Sequence, residues 1–238
     1  MMSKVWLLLK RNILLVISMF MLIINLILIF SVGIFSRLVY VIFFYHVSSA
    51  WLSYFSFGVS FISHIIFVKS KNSKWIRLGK NSIIIGVSFA AITLITGSLW
   101  YNATTGNYRN IFWQWSDARQ TTTLVLFLSY ISYLIFRNLI EDTNKKDELS
   151  GVLGIVLFPT IPLSYASIFL FNSLHPVINP NPGESGYIYW DPLKIFILIF
   201  NLIAITIFFI YLVNQMKILD QKREELNQIL QMKLKEVQ

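Results

Sequence analysis

Between two long apolar runs of this chain lies the stretch WYNATTGNYRNIFWQWSDARQT, residues Trp100–Thr121. It contains three Trp, two Tyr and one Phe beside a single Asp and two Arg. A stretch that is both aromatic and polar fits neither a membrane span nor an ordinary solvated loop, and it suits the boundary between membrane and water. Two interpretations stay open at this point: an aromatic belt that anchors the protein, or a platform for a flat apolar ligand.

The composition places this platform in a membrane protein. Hydrophobic residues make up 56% of the 238 residues and charged residues only 13%, against about 25% in soluble domains. Runs of about 20 apolar residues are typical of transmembrane helices, and six such runs fit the length. We therefore predict an all-α polytopic membrane protein with a six-helix bundle. The chain has no Cys, which excludes disulfides, thiolate metal ligands and covalent haem attachment within it, so a transition metal would need His or carboxylate ligands.

The domain organisation follows from the apolar runs. The N-terminal basic residues and the first run are like a signal peptide, but the run is too long and no cleavage site follows, so we expect an uncleaved first span. One membrane domain is predicted over residues 1–213, with the aromatic platform at residues 100–121, and a polar helical tail over residues 214–238. The six spans are predicted at residues 13–32, 46–67, 83–99, 122–140, 152–171 and 193–213.

The positive charge of the chain, formally +9, is distributed as membrane topology requires. If the N-terminus, the second loop, the fourth loop and the tail share one side, that side holds 16 of the 20 Lys and Arg residues. By the positive-inside rule this side is cytoplasmic, and the platform lies on the outer side. Because the basic residues flank apolar runs and form no basic helix face with interleaved aromatics, lipid is the expected partner of this charge and nucleic acid is not.

Two of the three histidines are predicted at the depth of the platform. His46 begins the second span and His175 follows the fifth, both on the outer side. His64 lies 18 residues after His46 on the same predicted helix, or ~27 Å away, so these two cannot share a ligand. One hypothesis is that His46 and His175 bind one haem iron while the aromatic stretch packs on the porphyrin. The alternative is that each is an interfacial polar residue without a ligand, as we expect for His64. The candidate cations for the haem propionates are Arg37, Arg109 and Arg119.

Asp117 has two possible roles before the fourth span. It can cap the start of that helix and pair with Arg119, or it can take part directly in chemistry. A catalytic carboxylate pair of Asp117 with Glu184 or Asp191 has no support in the spacing. No Gly-rich phosphate loop is found, so the sequence contains no recognisable ATPase motif.

Three segments resemble one family, the CcmC-type haem-handling membrane proteins of cytochrome c maturation. FYHVSSAWL at residues 44–52 is similar to the first-histidine segment of the family. WQWSDARQT at residues 113–121 resembles its tryptophan-rich motif, and SLHP at residues 173–176 resembles its second-histidine segment. The chain departs from the family pattern at Ser48, where Pro is usual, at Tyr101, where Gly is common, and at Ser116, which separates Trp115 from Asp117.

The resemblance implies a set of functional residues. His46 and His175 would be axial ligands of a non-covalent, transiently bound b-type haem. The haem platform would include Trp113, Trp115, Asp117 and Arg119, with Trp100 from the same stretch and Trp51 from the first motif as further candidates. The implied partners are the haem chaperone CcmE and the ABC components CcmA and CcmB with CcmD, at a bacterial or organellar inner membrane.

We therefore expect a haem-binding and delivery protein that is not an enzyme. One alternative is a haem lyase similar to the CcsA family, although those proteins carry more spans and more His. A second is a permease subunit for a small solute, which would need polar residues along a pathway in the membrane. A third is an electron carrier with two haems, which would need four His ligands where the chain has three. The polar residues found in the spans, which form no evident pathway, are Asn25, Ser88, Thr93, Ser129 and Asn201.

Overall fold

The computed structural model describes residues 12–31, 39–105, 113–171, 173, 175 and 192–236, with side chains omitted at a few helix ends. These residues form seven α-helices, as expected for an all-α membrane protein. The helices are α1 (Ile13–Ser31), α2 (Val39–Ser70), α3 (Ser73–Thr105), α4 (Ala118–Leu139), α5 (Thr143–Val156), α6 (Thr160–Leu170) and α7 (Pro192–Glu236).

Six helical segments are long and apolar enough to cross a membrane, as predicted. Five of them are single helices, and the fifth span consists of α5 and α6 in sequence. The break falls at Pro159, whose ring cannot continue a helical hydrogen-bond ladder. Tighter bonds close the turn there, because Phe158 N donates to Ile155 O at 3.1 Å and Thr160 N to Leu157 O at 3.1 Å. Pro159 is therefore compatible with the predicted fifth span but divides it into two helices.

Two loops predicted from charge are largely helical. The first is the basic second loop, expected at residues 69–80. Only two of its residues lie outside a helix, since α2 ends at Ser70 and α3 begins at Ser73. Lys71 takes a left-handed backbone conformation with φ 55°, which allows this tight reversal. The prediction of a loop at residues 141–150 is wrong for most of its length, because α5 starts at Thr143. Asp142 stabilises this helix start by accepting a hydrogen bond from Lys145 N.

The packing of α2 against α3 is the most extensive between any two described helices. Serines recur along the buried side of α2 at intervals of four and three residues, the spacing of a helix face. Such small side chains let two membrane helices approach closely, which matters because lipid supplies no hydrophobic drive for their association. Ser49 also receives a hydrogen bond from Thr93 of α3 at 3.0 Å. The buried serines at this spacing are Ser49, Ser53, Ser56, Ser60 and Ser63, and Ser48 beside them is buried as well.

Three rings of α2 lie against three glycines of α3 in an antiparallel register. A Cβ on Gly97 would lie 2.9 Å from the His46 ring, a Cβ on Gly86 would lie 2.5 Å from the Phe57 ring, and one on Gly79 would lie 2.5 Å from the His64 ring. The two residue numbers of each pair sum to 143, so one register aligns all three. Each glycine therefore leaves room for one ring, and the two helices are fixed against sliding.

The ring of His64 is fully buried where α2, α3, α4 and α5 meet. Its Nδ1 lies 2.7 Å from Ser60 O and its Nε2 2.8 Å from the hydroxyl of Tyr133 on α4. A Cβ on Gly154 of α5 would lie 2.6 Å from the ring. Both nitrogens thus have protein partners, and His64 is a buried structural residue rather than the interfacial one that the sequence predicted.

The last helix, α7, extends for 45 residues without a break, or about 68 Å. Its first half packs on α1, where Asn25 Nδ2 donates to Ile197 O at 2.8 Å. Asn201 Nδ2 likewise donates to Phe44 O at 3.4 Å. Two of the polar residues noted in the spans therefore hold helices together through backbone carbonyls. The tail predicted as a helix is helical and continuous with the sixth span.

The glycine contacts predict opposite effects of two alanine substitutions in helices. Gly154→Ala should lower the free energy of unfolding by about 1–3 kcal/mol, since the new methyl group would overlap the His64 ring. Gly58→Ala should leave stability unchanged or raise it by up to ~1 kcal/mol, because no atom lies within 4 Å and alanine favours the helix. Unfolding of the detergent-solubilised variants measures both. Equal stability of the two variants would contradict the close contact at His64.

Candidate functional site

A cavity opens at one end of the bundle, between α2, α3, α4 and the segment after α6. Its empty volume is about 560 Å³, including the part open to solvent. The cavity contains both histidines that the sequence predicted at this depth. It is lined by His46, Thr93, Leu94, Gly97, Ser98, Trp100, Trp113, Asp117, Arg119, Gln120, Thr123 and His175.

The ring of His46 is oriented by α3. Its Nδ1 lies 3.1 Å from the backbone oxygen of Thr93 and 3.1 Å from the hydroxyl oxygen of Thr96. A carbonyl oxygen can only accept, so Nδ1 of the neutral ring carries the proton and donates. The lone pair then lies on Nε2, which makes no hydrogen bond among the described residues. A hydrogen bond from the other ring nitrogen to a backbone oxygen fixes the tautomer and orientation of many metal-binding histidines.

His175 is positioned from the other side by a chain of hydrogen bonds to Asp117. The backbone N of His175 donates to the hydroxyl of Ser173 at 3.1 Å. This hydroxyl in turn lies 3.1 Å from Asp117 Oδ2 and 3.3 Å from Oδ1 and donates to the carboxylate. Asp117 is itself fixed as the N-cap of α4, because its Oδ1 accepts from Gln120 N at 3.0 Å. The carboxylate therefore connects the start of α4 to the segment that carries His175.

The two histidine rings have a separation suited to one metal ion between them. Their centres are 6.3 Å apart, with an angle of 44° between planes. Two imidazoles on opposite sides of one ion, each bonded at about 2 Å, have ring centres roughly 6 Å apart. Within the described residues no group of three or more His, Cys, Asp or Glu could hold a metal. Two protein ligands are too few for a structural zinc site but suffice for haem iron, since the porphyrin supplies the other four.

The tryptophans predicted in the platform take different positions. Trp100 and Trp113 line the cavity, and the indole Nε1 of Trp113 is buried without a hydrogen-bond partner among the described residues. Trp115 packs edge-on against Trp113 but is 71% exposed and outside the lining. Trp51 does not line the cavity either, and its indole donates to the hydroxyl of Thr206 on α7 at 3.1 Å. The geometry therefore favours two of the four tryptophans as ligand contacts.

Arg119 lines the cavity and also holds α6 to α4. Its Nη1 donates to the backbone oxygen of Ser164 at 2.5 Å, and its guanidinium lies over the rings of Tyr54 at 5.6 Å and Tyr165 at 5.9 Å. No ion pair with Asp117 occurs among the four ion pairs of the described residues, so the local pair considered from the sequence does not form. The cap by Asp117 does form. Arg37, Arg109, Glu184 and Asp191 lie outside the described residues.

Sequence reasoning missed the residues that position the histidines. Thr93 and Thr96 act on His46 from another helix, and Gly97 makes room for its ring. Ser173 was quoted only as part of the second-histidine segment, although it connects His175 to Asp117. The one available signal was the position of these residues at the same predicted end of the bundle.

Comparison with known proteins identifies relatives of this chain. The family model "CcmC: Heme exporter protein C" matches residues 3–229. Heme exporter protein C of Bradyrhizobium diazoefficiens is 30% identical over 169 residues, 70% of this chain and 62% of the relative. Heme exporter protein C of Rhodobacter capsulatus is 29% identical over 166 residues, 68% of this chain and 66% of the relative. A putative cytochrome c biosynthesis ccmC-like mitochondrial protein of Arabidopsis thaliana is 32% identical over 140 residues, 59% of this chain and 49% of that protein. The matches thus span about half to two thirds of these relatives.

The hydrogen bonds of Asp117 predict that its oxygen atoms matter more for stability than its charge. Asp117→Ala should lower the free energy of unfolding by about 1–2 kcal/mol, because the cap of α4 and the bond from Ser173 are both lost. Asp117→Asn should retain most of the stability, since an amide oxygen caps a helix equally well. Unfolding in detergent measures both, with Ser116→Ala as an exposed control next to it. Equal losses in the two Asp117 variants would contradict this role.

Proposed function

Because this chain belongs to the Heme exporter protein C family, we propose that it binds haem in the cavity and delivers it to a carrier during cytochrome c maturation. His46 and His175 would be the axial ligands, and the haem would be a non-covalent cargo of b type. Trp100 and Trp113 would contact the porphyrin. Arg119 lines the cavity and would pair with the haem propionates, because a guanidinium matches the geometry of a carboxylate. The chain would act by binding and transfer, without bond-making chemistry of its own.

The observation that carries this proposal is the pair of histidine rings in one cavity. Their centres are 6.3 Å apart, and Nδ1–H of His46 is held by Thr93 so that Nε2 can bind a metal. The surrounding Trp residues supply an apolar surface. The buried Nε1 of Trp113 has no acceptor among the described residues, and a polar group of the ligand would provide one. Haem combines these requirements, because it is flat, apolar, anionic at one edge and open to two axial ligands.

The two ligands differ in how firmly they are held, which suits a protein that must release its cargo. His46 lies within α2 and is confined by Gly97 and Thr93 of α3. His175 lies after the end of α6, outside any described helix, and is connected to α4 through Ser173 and Asp117. We expect transfer to begin at His175, while His46 keeps the cargo oriented. When bound, haem supplies an iron that exchanges axial ligands, so the next carrier can replace one imidazole.

The orientation and partners follow from the same proposal. Since the sequence analysis assigns 16 of the 20 basic residues to the cytoplasmic side, the cavity would face the outer side of an inner membrane. The receiving protein would be a haem chaperone of the CcmE type, and the membrane partners would be the ABC components CcmA and CcmB with CcmD. The permease alternative is less well supported, because Asn25, Asn201, Ser88 and Ser129 all donate to backbone carbonyls of the helices.

The ligand assignment predicts the spectra of three histidine variants. The purified protein, oxidised and reduced, should show low-spin haem absorption, and His46→Ala or His175→Ala should abolish or shift it. His64→Gln should retain the spectrum, because His64 lies at the other end of the bundle and bonds only to protein groups. Absorption spectroscopy after co-expression with a haem chaperone measures all four proteins. Loss of the signal in His64→Gln alone, or its persistence in both other variants, would overturn the proposed site.

The bond from Ser173 predicts a weaker effect on the same signal. Ser173→Ala keeps both imidazoles but removes the connection of His175 to Asp117, which at about 1 kcal/mol corresponds to haem binding weaker by roughly fivefold. The remaining haem should contain a larger high-spin fraction, and Ser173→Thr should restore the low-spin form. Haem titration followed by absorption measures both quantities. If Ser173→Ala matches the exposed control Ser116→Ala in affinity and spin state, Ser173 does not position the ligand.

A further inference from the structure

A second groove lies at the opposite end of the bundle, between the start of α3 and the middle of α7. Its empty volume is about 1160 Å³, including the part open to solvent. The two helices are held together across it, because Asp220 of α7 accepts from Lys80 Nζ and from Asn81 Nδ2, each at 2.9 Å. Arg77 also forms an ion pair with Glu224. The groove therefore has a fixed frame.

Two lysines of the groove are not neutralised by the ion pairs that join α3 and α7. Lys74 and Lys217 lie on its two sides and belong to none of the four ion pairs among the described residues. Trp75, Leu78 and Val213 line it as well, so cationic side chains surround an apolar floor. An anion with an attached apolar chain fits such a surface better than a fully hydrated ion does.

One buried polar atom indicates what else the ligand carries. Asn81 is 2% exposed, and its Oδ1 has no hydrogen-bond partner among the described residues. The orientation of this amide is settled by its neighbour, because the Asp220 carboxylate can only accept and so must face Nδ2. Asn81 lines the groove, and its remaining oxygen is a buried acceptor that requires a donor such as a hydroxyl group.

We propose that this groove binds the headgroup of an anionic phospholipid that carries hydroxyl groups, of which phosphatidylglycerol is the simplest. The phosphate would lie between Lys74 and Lys217, and a glycerol hydroxyl would donate to Asn81 Oδ1. The part of the acyl chains nearest the headgroup would lie against Leu78 and Val213. Basic pockets between membrane helices at the cytoplasmic side are known to bind such headgroups. The inference rests on the proposed orientation of the chain but not on haem binding.

The test is a lipid titration of the full chain in non-ionic detergent, with bound lipid counted by native mass spectrometry. Three lipids separate the contributions: phosphatidylglycerol has charge and hydroxyl groups, phosphatidylmethanol has the charge alone, and phosphatidylcholine is zwitterionic. We expect binding to fall in that order. In Lys74→Gln/Lys217→Gln, phosphatidylglycerol should bind about tenfold more weakly. Lys222→Gln/Lys233→Gln removes the same charge from α7 outside the groove and should bind as the unchanged protein does.

Four results would overturn the proposal. Equal affinity of the two double variants would mean that the groove contributes nothing beyond net charge. Equal binding of phosphatidylglycerol and phosphatidylmethanol would remove the role of Asn81. Full displacement of lipid by millimolar inorganic phosphate would indicate a site for free phosphate. Loss of a co-purifying protein from Lys74→Gln/Lys217→Gln with unchanged lipid binding would make the groove a protein interface. The haem spectrum of each variant is recorded alongside, so failure here is distinguishable from failure at the haem site.

Discussion

The close approach of α2 and α3 is the constraint on which the rest of the structure depends. Lipid gives two membrane helices no hydrophobic reason to associate, so their contact has to come from shape and from polar groups that satisfy one another. Serines supply the narrow face of α2, and glycines of α3 receive its rings in one antiparallel register. Both ends of this contact hold a histidine: His64 is enclosed by four helices, and His46 is at the open cavity.

The difference between these two ends explains how one helix pair can carry both a structural imidazole and one that we propose binds a ligand. At His64 both ring nitrogens meet protein partners, and glycines of α3 and α5 close on the ring. At His46 only Nδ1 is engaged, and the bundle opens toward His175. His46 of the proposed site thus lies on the helix pair that stabilises the fold, and His175 lies outside the helices.

Much of the architecture could be predicted from the sequence, because apolar runs of about 20 residues and the placement of basic residues follow from the membrane itself. The resemblance of three segments to one family correctly gave the family. Helix ends were predicted less well: the charged residues 69–80 are mostly helical, since a single left-handed residue, Lys71, reverses the chain. The partners of His46 and His175 were beyond prediction, because Thr93, Gly97 and Ser173 act across helices and carry no pattern of their own.

The matched rings and glycines also restrict how such a chain can change over evolutionary time. A larger side chain at Gly79, Gly86 or Gly97 has no space until the ring opposite it becomes smaller, and a smaller ring alone leaves a void between the helices. Neutral drift at these positions should therefore proceed by paired replacements, one on α2 and one on α3. In an alignment of homologues, the two positions of each co-varying pair would have numbers that sum to 143. At the pair of His46 and Gly97 even that route is closed for as long as the imidazole is needed.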